Sequence, residues 1–234
     1  QMKNRRKIKK SIIVIDIILV ISTCLVLLPI VTMVMTSLKT FEDVQMNPAS
    51  LIPKEFTLKN YVTVFTEFPF TQYLINTLFI TITSTIGITL TSALVAYAFA
   101  RFDFKYKGII FAVMLSTIMI PGQILQIPLY EMYRGMGWIN TYKPMIIPAF
   151  LGGGITNVFL IRQFFNSLPK SIFESAQIDG AGEFRIFATI AVPLSKAIIF
   201  TVAIFSFTAS WNDFYSPLLY INDDKKYTLA YGLY

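Results

Sequence analysis

Two stretches of this chain, Leu74–Phe99 and Gly108–Tyr130, contain no charged side chain, and each exceeds the roughly 20 apolar residues that a helix needs to cross a bilayer. Three more segments, Ser11 to about Met35, Met145–Phe165 and Leu194 to about Pro217, are apolar over most of such a length. Hydrocarbon offers a backbone no hydrogen bonds, so these runs must satisfy their own N–H and C=O groups as helices. Composition agrees: 55% of residues are hydrophobic and 14% charged, against about a quarter charged in soluble domains. The expected fold is an all-α polytopic membrane protein with five spans.

In chain order, residues 1–10 are a basic N-terminus, and residues 11–36 form the first span. That span is too long for a signal-peptide core and ends in no small-residue cleavage site. Asp16 lies within two turns of the basic end, close enough to meet Lys9, Lys10 or headgroup water. Residues 37–73 form a mixed loop in which Leu58, Tyr61, Val62 and Phe65 recur at helical spacing, the pattern of a short amphipathic helix on a membrane surface. A core of four spans is expected over residues 74–217, followed by a non-spanning segment at 218–234.

Within that core, Thr81, Thr83, Ser84, Thr85, Gly87, Thr89, Thr91 and Ser92 give the second span a small, hydroxyl-rich surface suited to close helix packing. Pro121-Gly122-Gln123 and then Pro128 interrupt the third span, a break expected inside the bundle where protein or water can satisfy it. Gly152-Gly153-Gly154 in the fourth span predicts a hinge or a tight crossing. Gln123, Asn157 and Asn212 are candidates to line a solute path, because amides suit hydroxyl-rich ligands. Interhelical hydrogen bonding is their more ordinary use.

Residues 166–193 form a polar island between the fourth and fifth spans. Ser171 and Glu174 have capping-box spacing, with Pro169 a competing helix start. Gly180 stands where a helix end takes a left-handed residue. A second helix follows from Gly182 until Pro193 breaks it or starts the next span.

The order of these residues resembles the EAA loop of ABC-importer permeases: Glu174, the small pair Ser175 and Ala176, Asp179-Gly180-Ala181, then Phe187, Ile190 and Val192-Pro193. Ser175 stands where the motif usually has Ala, and Val192 where it usually has Leu. Phe56-Thr57-Leu58-Lys59-Asn60-Tyr61 and Ile139-Asn140-Thr141-Tyr142 are similar to the sugar-transporting branch.

The resemblance implies a type I ABC importer transmembrane domain for a sugar or oligosaccharide. Its implied partners are a cytoplasmic ATPase dimer that holds ATP and Mg, a second permease subunit expected to be a different chain, and an extracytoplasmic solute-binding protein in a bacterial-type cell membrane. It implies that Glu174, Ser175, Ala176, Asp179, Gly180 and Ala181 couple to the ATPase, and that Phe184, Phe187, Ile190 and Pro193 anchor the loop. It also implies a sixth span that this sequence, ending at Tyr234, does not contain.

The remaining chemistry narrows the function. No phosphate-binding glycine loop, His-Glu-x-x-His, Cys pair or Gly-x-Ser-x-Gly elbow occurs, there is no His, and Cys24 is alone. The chain is therefore expected to be no enzyme, to bind no metal or cofactor and to contact lipid rather than nucleic acid. Thirteen Lys and Arg fall at 2–10, 101–107 and 162–196 and seven on the opposite loops, which puts the N-terminus and the 166–193 loop in the cytoplasm. An ion-coupled carrier or channel for a small polar solute is the alternative, disfavoured by uncharged span centres.

Overall fold

A computed structural model describes residues 2–234, apart from the side chains of residues 2–11 and 14. The basic side chains of the expected cytoplasmic N-terminus lie outside the described residues. The chain forms two compact units that meet in sequence at Pro69 and Phe70, and no strand occurs among the described residues.

In the first unit, helix α1 (Met2–Ser37) is apolar over Ile15–Ser37, and none of its side chains over that stretch is buried. A helix that is hydrophobic all round belongs in lipid. Its hydroxyls turn back on their own helix, Thr23 Oγ1 donating to the Leu19 carbonyl and Thr32 Oγ1 to that of Pro29. Beyond Ser37 the chain folds back into a compact, hydrogen-bonded turn. The Lys39 Nζ is buried and donates to the carbonyls of Asn47 (3.1 Å) and Ser50 (2.6 Å), while Asp43 accepts from the Lys54 N–H and the Asn47 amide. Short helices α2 (Phe41–Met46) and α3 (Lys59–Thr66) hang from this turn. The Asn60 amide donates to the carbonyls of Ser37 and Lys39, and the Tyr61 hydroxyl meets that of Ser37 at 2.7 Å. These bonds fix α3 at the end of α1, with Leu58 and Val62 exposed.

The second unit is built around α4 (Phe70–Arg101), continuous for 32 residues, roughly 48 Å at 1.5 Å per residue. It packs along α8 (Ile155–Ser167) and α12 (Lys196–Trp211). The hydroxyl-rich surface of the second span is the packing face: Thr77, Thr81, Ser84 and Ser92 are all buried. Its chemistry answers a break in the neighbouring span. There α7 (Lys143–Ile146) passes through a 3-10 turn at Ile147–Phe150 and three glycines with positive φ before α8 begins. Ser84 Oγ donates to the carbonyl of Met145, and Thr91 Oγ1 lies 3.2 Å from that of Ala149. Gly153 passes so close that an added Cβ would strike Ser92 Oγ and the Ile88 carbonyl. The glycine run is therefore a tight crossing.

The interruption of the third span corrects an expectation. Pro121 holds Ile120 extended (φ −81°, ψ 115°), as the residue before proline must be. The segment Lys107–Met119, containing α5 (Lys107–Ser116), then meets Gly122–Gly135, containing α6 (Gln126–Gly135), at 92°. Residues 116–125 are exposed on this unit, not inside its bundle. The freed N–H groups of Ile120 and Ile124 turn locally to the carbonyls of Thr117 and Pro121. Pro128 breaks nothing, because it falls in the first turn of α6, where a missing N–H is tolerated. Among the described residues, three helical stretches, Ile15–Ser37, Phe70–Arg101 and Lys143–Ser167, are long and apolar enough to cross a membrane, or five spans if each of two bent pairs counts as one.

Two outcomes test these arrangements. With Cys24→Ala as background, spin labels at Leu58 and Val62 should meet dissolved oxygen more often than an aqueous nickel chelate, with the reverse at Glu67. Gly153→Ala should lower stability in detergent by about 2 kcal/mol or more, combining left-handed strain with overpacking, as read by thermal unfolding.

Candidate functional site: the loop between α8 and α12

The polar island folds as helix, turn and bent helix. Helix α9 (Lys170–Ile178) starts from Pro169, which is extended and makes no side-chain cap. The capping box from Ser171 to Glu174 is not formed, and the competing proline start is the one used. The helix ends as its glycine predicts. Gly180 takes φ +80°, its N–H reaches the Gln177 carbonyl at 3.0 Å, and the Ala181 N–H reaches that of Ala176 at 2.9 Å. This pair of bonds is a Schellman cap.

Helix α10 (Glu183–Ile186) follows from Gly182 and widens into a π turn at Phe187–Ala191, in which the Val192 N–H reaches back five residues to the Phe187 carbonyl. Pro193 supplies the reason. It lacks an N–H and crowds the carbonyl four residues before it, and the wider turn relieves both. Pro193 itself is exposed in α11 (Val192–Leu194), and the break comes after it, at Ser195, where Glu183–Leu194 meets α12 at 82°.

The loop has two faces. Toward the bundle, α9 buries Phe173 and Ala176, Ala181 packs half-buried against the same core, and the second limb buries Ile186 and Phe187. The Phe187 ring meets the edge of Tyr97 at 5.2 Å, and Ile190 packs half-buried beside it. Away from the bundle stand Glu174, Ser175, Ile178, Asp179 and Phe184. Neither the Glu174 nor the Asp179 carboxylate has a hydrogen-bond or ion-pair partner among the described residues. Ile178 is 86% and Phe184 77% exposed. Ala176 and Ala181 face the bundle, whereas Phe184 and Pro193, expected as anchors, are exposed, and Ile186 is buried beside Phe187 instead.

Glu174 opens onto a cleft of about 430 Å³ bordered by Arg101, Lys107, Lys170, Asn166 and Phe173. At its edge lies a residue that the spacing argument missed, Glu183. One carboxylate oxygen accepts from the Tyr97 hydroxyl at 2.6 Å, the other from the Gln177 amide at 2.7 Å, and Arg101 Nε stands 3.9 Å away. The Arg101 guanidinium also covers the Phe173 ring at 5.0 Å. Nearby, Arg162 on α8 donates to the Phe99 carbonyl in the last turn of α4 and stacks its guanidinium over Phe111 at 4.1 Å. The available sequence signal was the pair of cations at the ends of apolar spans, Arg101 and Arg162, with a carboxylate one residue beyond the glycine turn.

The solute-path candidates do not converge. The Asn157 amide donates to the Gly153 carbonyl, serving the glycine break, and that of Asn212 to Thr208 one turn back in its own helix. Asn212 borders an open hollow with Trp211, Leu229 and Tyr234, to which neither Gln123 nor Asn157 contributes. Gln123 is exposed at the 92° bend.

Residues 88–228 match the family model described as binding-protein-dependent transport system inner membrane component. A probable ABC transporter permease of Pyrococcus horikoshii is 33% identical over 88% of this chain and 76% of that protein. The arabinooligosaccharides transport system permease AraQ of Halalkalibacterium halodurans is 33% identical over 88% of this chain and 74% of its own. The trehalose/maltose transport system permease MalG of Thermococcus litoralis is 31% identical over 97% and 81%. In three dimensions the chain resembles one in the crystal structure of a bacterial ABC transporter that imports the acidic polysaccharide alginate, with a TM-score of 0.84 and 22% identity over 94% of this chain and 77% of that one.

Gly180→Ala leaves space for its Cβ, since nothing lies within 4 Å, but forces a left-handed alanine. It should cost about 1–2 kcal/mol, with Gly180→Asn milder, as checked by protease sensitivity of the loop in the folded protein.

Proposed function

The chain belongs to the family of inner membrane components of binding-protein-dependent transport systems, and from that premise we propose that it is the permease subunit of an ATP-driven importer carrying a sugar or oligosaccharide into the cytoplasm. The relatives named for arabino-oligosaccharides, trehalose and maltose, and diacetylchitobiose support the solute class. Energy enters from a separate cytoplasmic ATPase dimer, which holds ATP and Mg. A second permease subunit completes the membrane path, and an extracytoplasmic binding protein delivers the solute. The charge count supports an orientation with the N-terminus and the 166–193 loop in the cytoplasm.

The outward face of α9 carries the reading. A carboxylate left over from a capping box would be spent on its own helix, but Glu174 is free of any cap. With Ser175, Ile178, Asp179 and Phe184 it makes a small surface of unpaired acid and exposed apolar side chain on a rigid, capped helix. Such a surface suits a protein partner that supplies both a cation and an apolar pocket. The ATPase is that partner, because the chain has no nucleotide-binding loop of its own. Closure of the ATPase dimer then displaces α9 as a rigid body.

Glu174→Ala should leave the amount of folded protein in the membrane unchanged and reduce ATP-dependent uptake of labelled trehalose or arabinotriose, whichever the wild type carries, by roughly tenfold or more, equivalent to about 1.4 kcal/mol of lost coupling. Normal uptake by this variant would remove Glu174 from the docking surface.

A further inference from the structure

Glu183 is the one carboxylate of the loop that is fully engaged, and its partners come from outside its own helix. Tyr97 and Arg101 belong to the last two turns of α4, Gln177 to α9, and Glu183 itself opens α10. A single side chain thus joins three elements. Arg101 adds a second tie by covering Phe173 of α9. The pair is partly shielded from water, with 18% of the Arg101 and 34% of the Glu183 side chain exposed, so their attraction is somewhat less screened than at an open surface.

We propose that Tyr97, Arg101 and Glu183 form a latch that makes the loop and α4 move as one body, so that a displacement delivered to α9 passes into the long helix instead of being absorbed by the turn at Gly180. They are positioning residues, and the proposal rests on the reading of the loop as the ATPase contact. Without the latch the second limb is held by the apolar packing of Ile186, Phe187, Ile190 and Ala191, and such contacts can slide. A carboxylate held by an aromatic hydroxyl, an amide and a guanidinium resists displacement in several directions. The tie also has a measurable slack. Arg101 Nε is buried and has no hydrogen-bond acceptor, and at 3.9 Å from Glu183 it can close by about 1 Å to the distance of a charge-assisted hydrogen bond.

The test measures that motion directly, in the complete transporter purified with its ATPase and with labelled chain diluted into unlabelled chain. On the Cys24→Ala background, spin labels at Ile178 on α9 and Ile75 near the far end of α4, both exposed, report the distance between loop and helix without nucleotide and with ATP trapped by vanadate. The unsubstituted latch should hold that distance within about 2 Å between the two states. Glu183→Gln, and independently Arg101→Gln, should broaden or shift it by about 5 Å in the trapped state only. The exchange of Arg101→Glu with Glu183→Arg should restore the narrow distribution, and Tyr97→Phe should have a smaller effect. A wild-type distance that moves by 5 Å between states would overturn the latch, because the loop would then be sliding along α4. Equal broadening in both states, or failure of every variant to assemble, would make these residues a folding staple and also overturn it. If no ATPase accompanies the wild-type chain, the reading of the loop fails instead, a result distinct from either.

Discussion

The contact on which the rest of the second unit depends is the passage of α4 across the glycine break of its neighbour. A membrane span that stops being helical at mid-depth exposes carbonyls that no water can reach, and such a stretch survives only where another part of the protein answers it. Ser84 of α4 answers at Met145; Thr91, whose shorter bond is to Gly87 in its own helix, lies 3.2 Å from the Ala149 carbonyl; and Gly153 brings the two backbones this close. Take away the hydroxyls and the break is unsatisfied. Give the glycine a side chain and the helices separate. The small, polar face of α4 and the irregular backbone beside it are therefore two halves of one feature, and α8 and α12 find their places on α4 because that seam is fixed.

With its seam fixed, α4 becomes the one long straight member among bent ones. Residues 107–135 bend by 92° and residues 183–211 by 82°, whereas α4 is unbroken and contains no proline. Both of its ends are tied to irregular chain. At the Phe70 end, the Asn76 amide donates to the carbonyls of Lys225 and Tyr227, and Thr77 Oγ1 accepts the Leu229 N–H. At the Arg101 end lie Tyr97, Arg101 and Glu183. Bends at Pro121 and Ser195 provide places where neighbours can reorient, while α4 offers a strut that connects the two membrane surfaces. A transporter that responds on one side to an event on the other needs both kinds of part.

Much of this was legible in the residues. The apolar runs fixed where spans lie because hydrocarbon imposes a single requirement on every backbone group, and the left-handed turn at Gly180 and the tight crossing at Gly153 follow from what a missing Cβ allows. The failures share one cause, which is that spacing reports only local partners. Ser171 and Glu174 stood at capping distance, but Pro169 started the helix earlier. Pro121 marked a break correctly, yet whether that break faces inward is decided by helices far away in sequence. Phe184 and Ile186 differ by two positions and both are apolar. Only the path of the second limb over α4 buries one and leaves the other bare. Glu183 was missed for the same reason, since its partners at 97 and 101 lie more than 80 residues upstream.

The loop's acids then divide by environment in a way their sequence does not show. Glu174 and Asp179 are exposed and unpaired, so a partner's cation meets them without first displacing a hydrogen bond of this chain. Glu183 already accepts from Tyr97 and Gln177 beside the Arg101 guanidinium, so drawing it away would leave the buried Tyr97 hydroxyl without an acceptor, at a cost of about 1–3 kcal/mol. Free carboxylates attract a partner, whereas satisfied ones resist movement. A loop with only the first kind would bind the ATPase and yield when pushed, and one with only the second would be stiff with nothing to push it. Within ten residues this loop carries both kinds, and the glycine turn between Glu174 and Glu183 leaves the first open to a partner while setting the second against Tyr97 and Arg101.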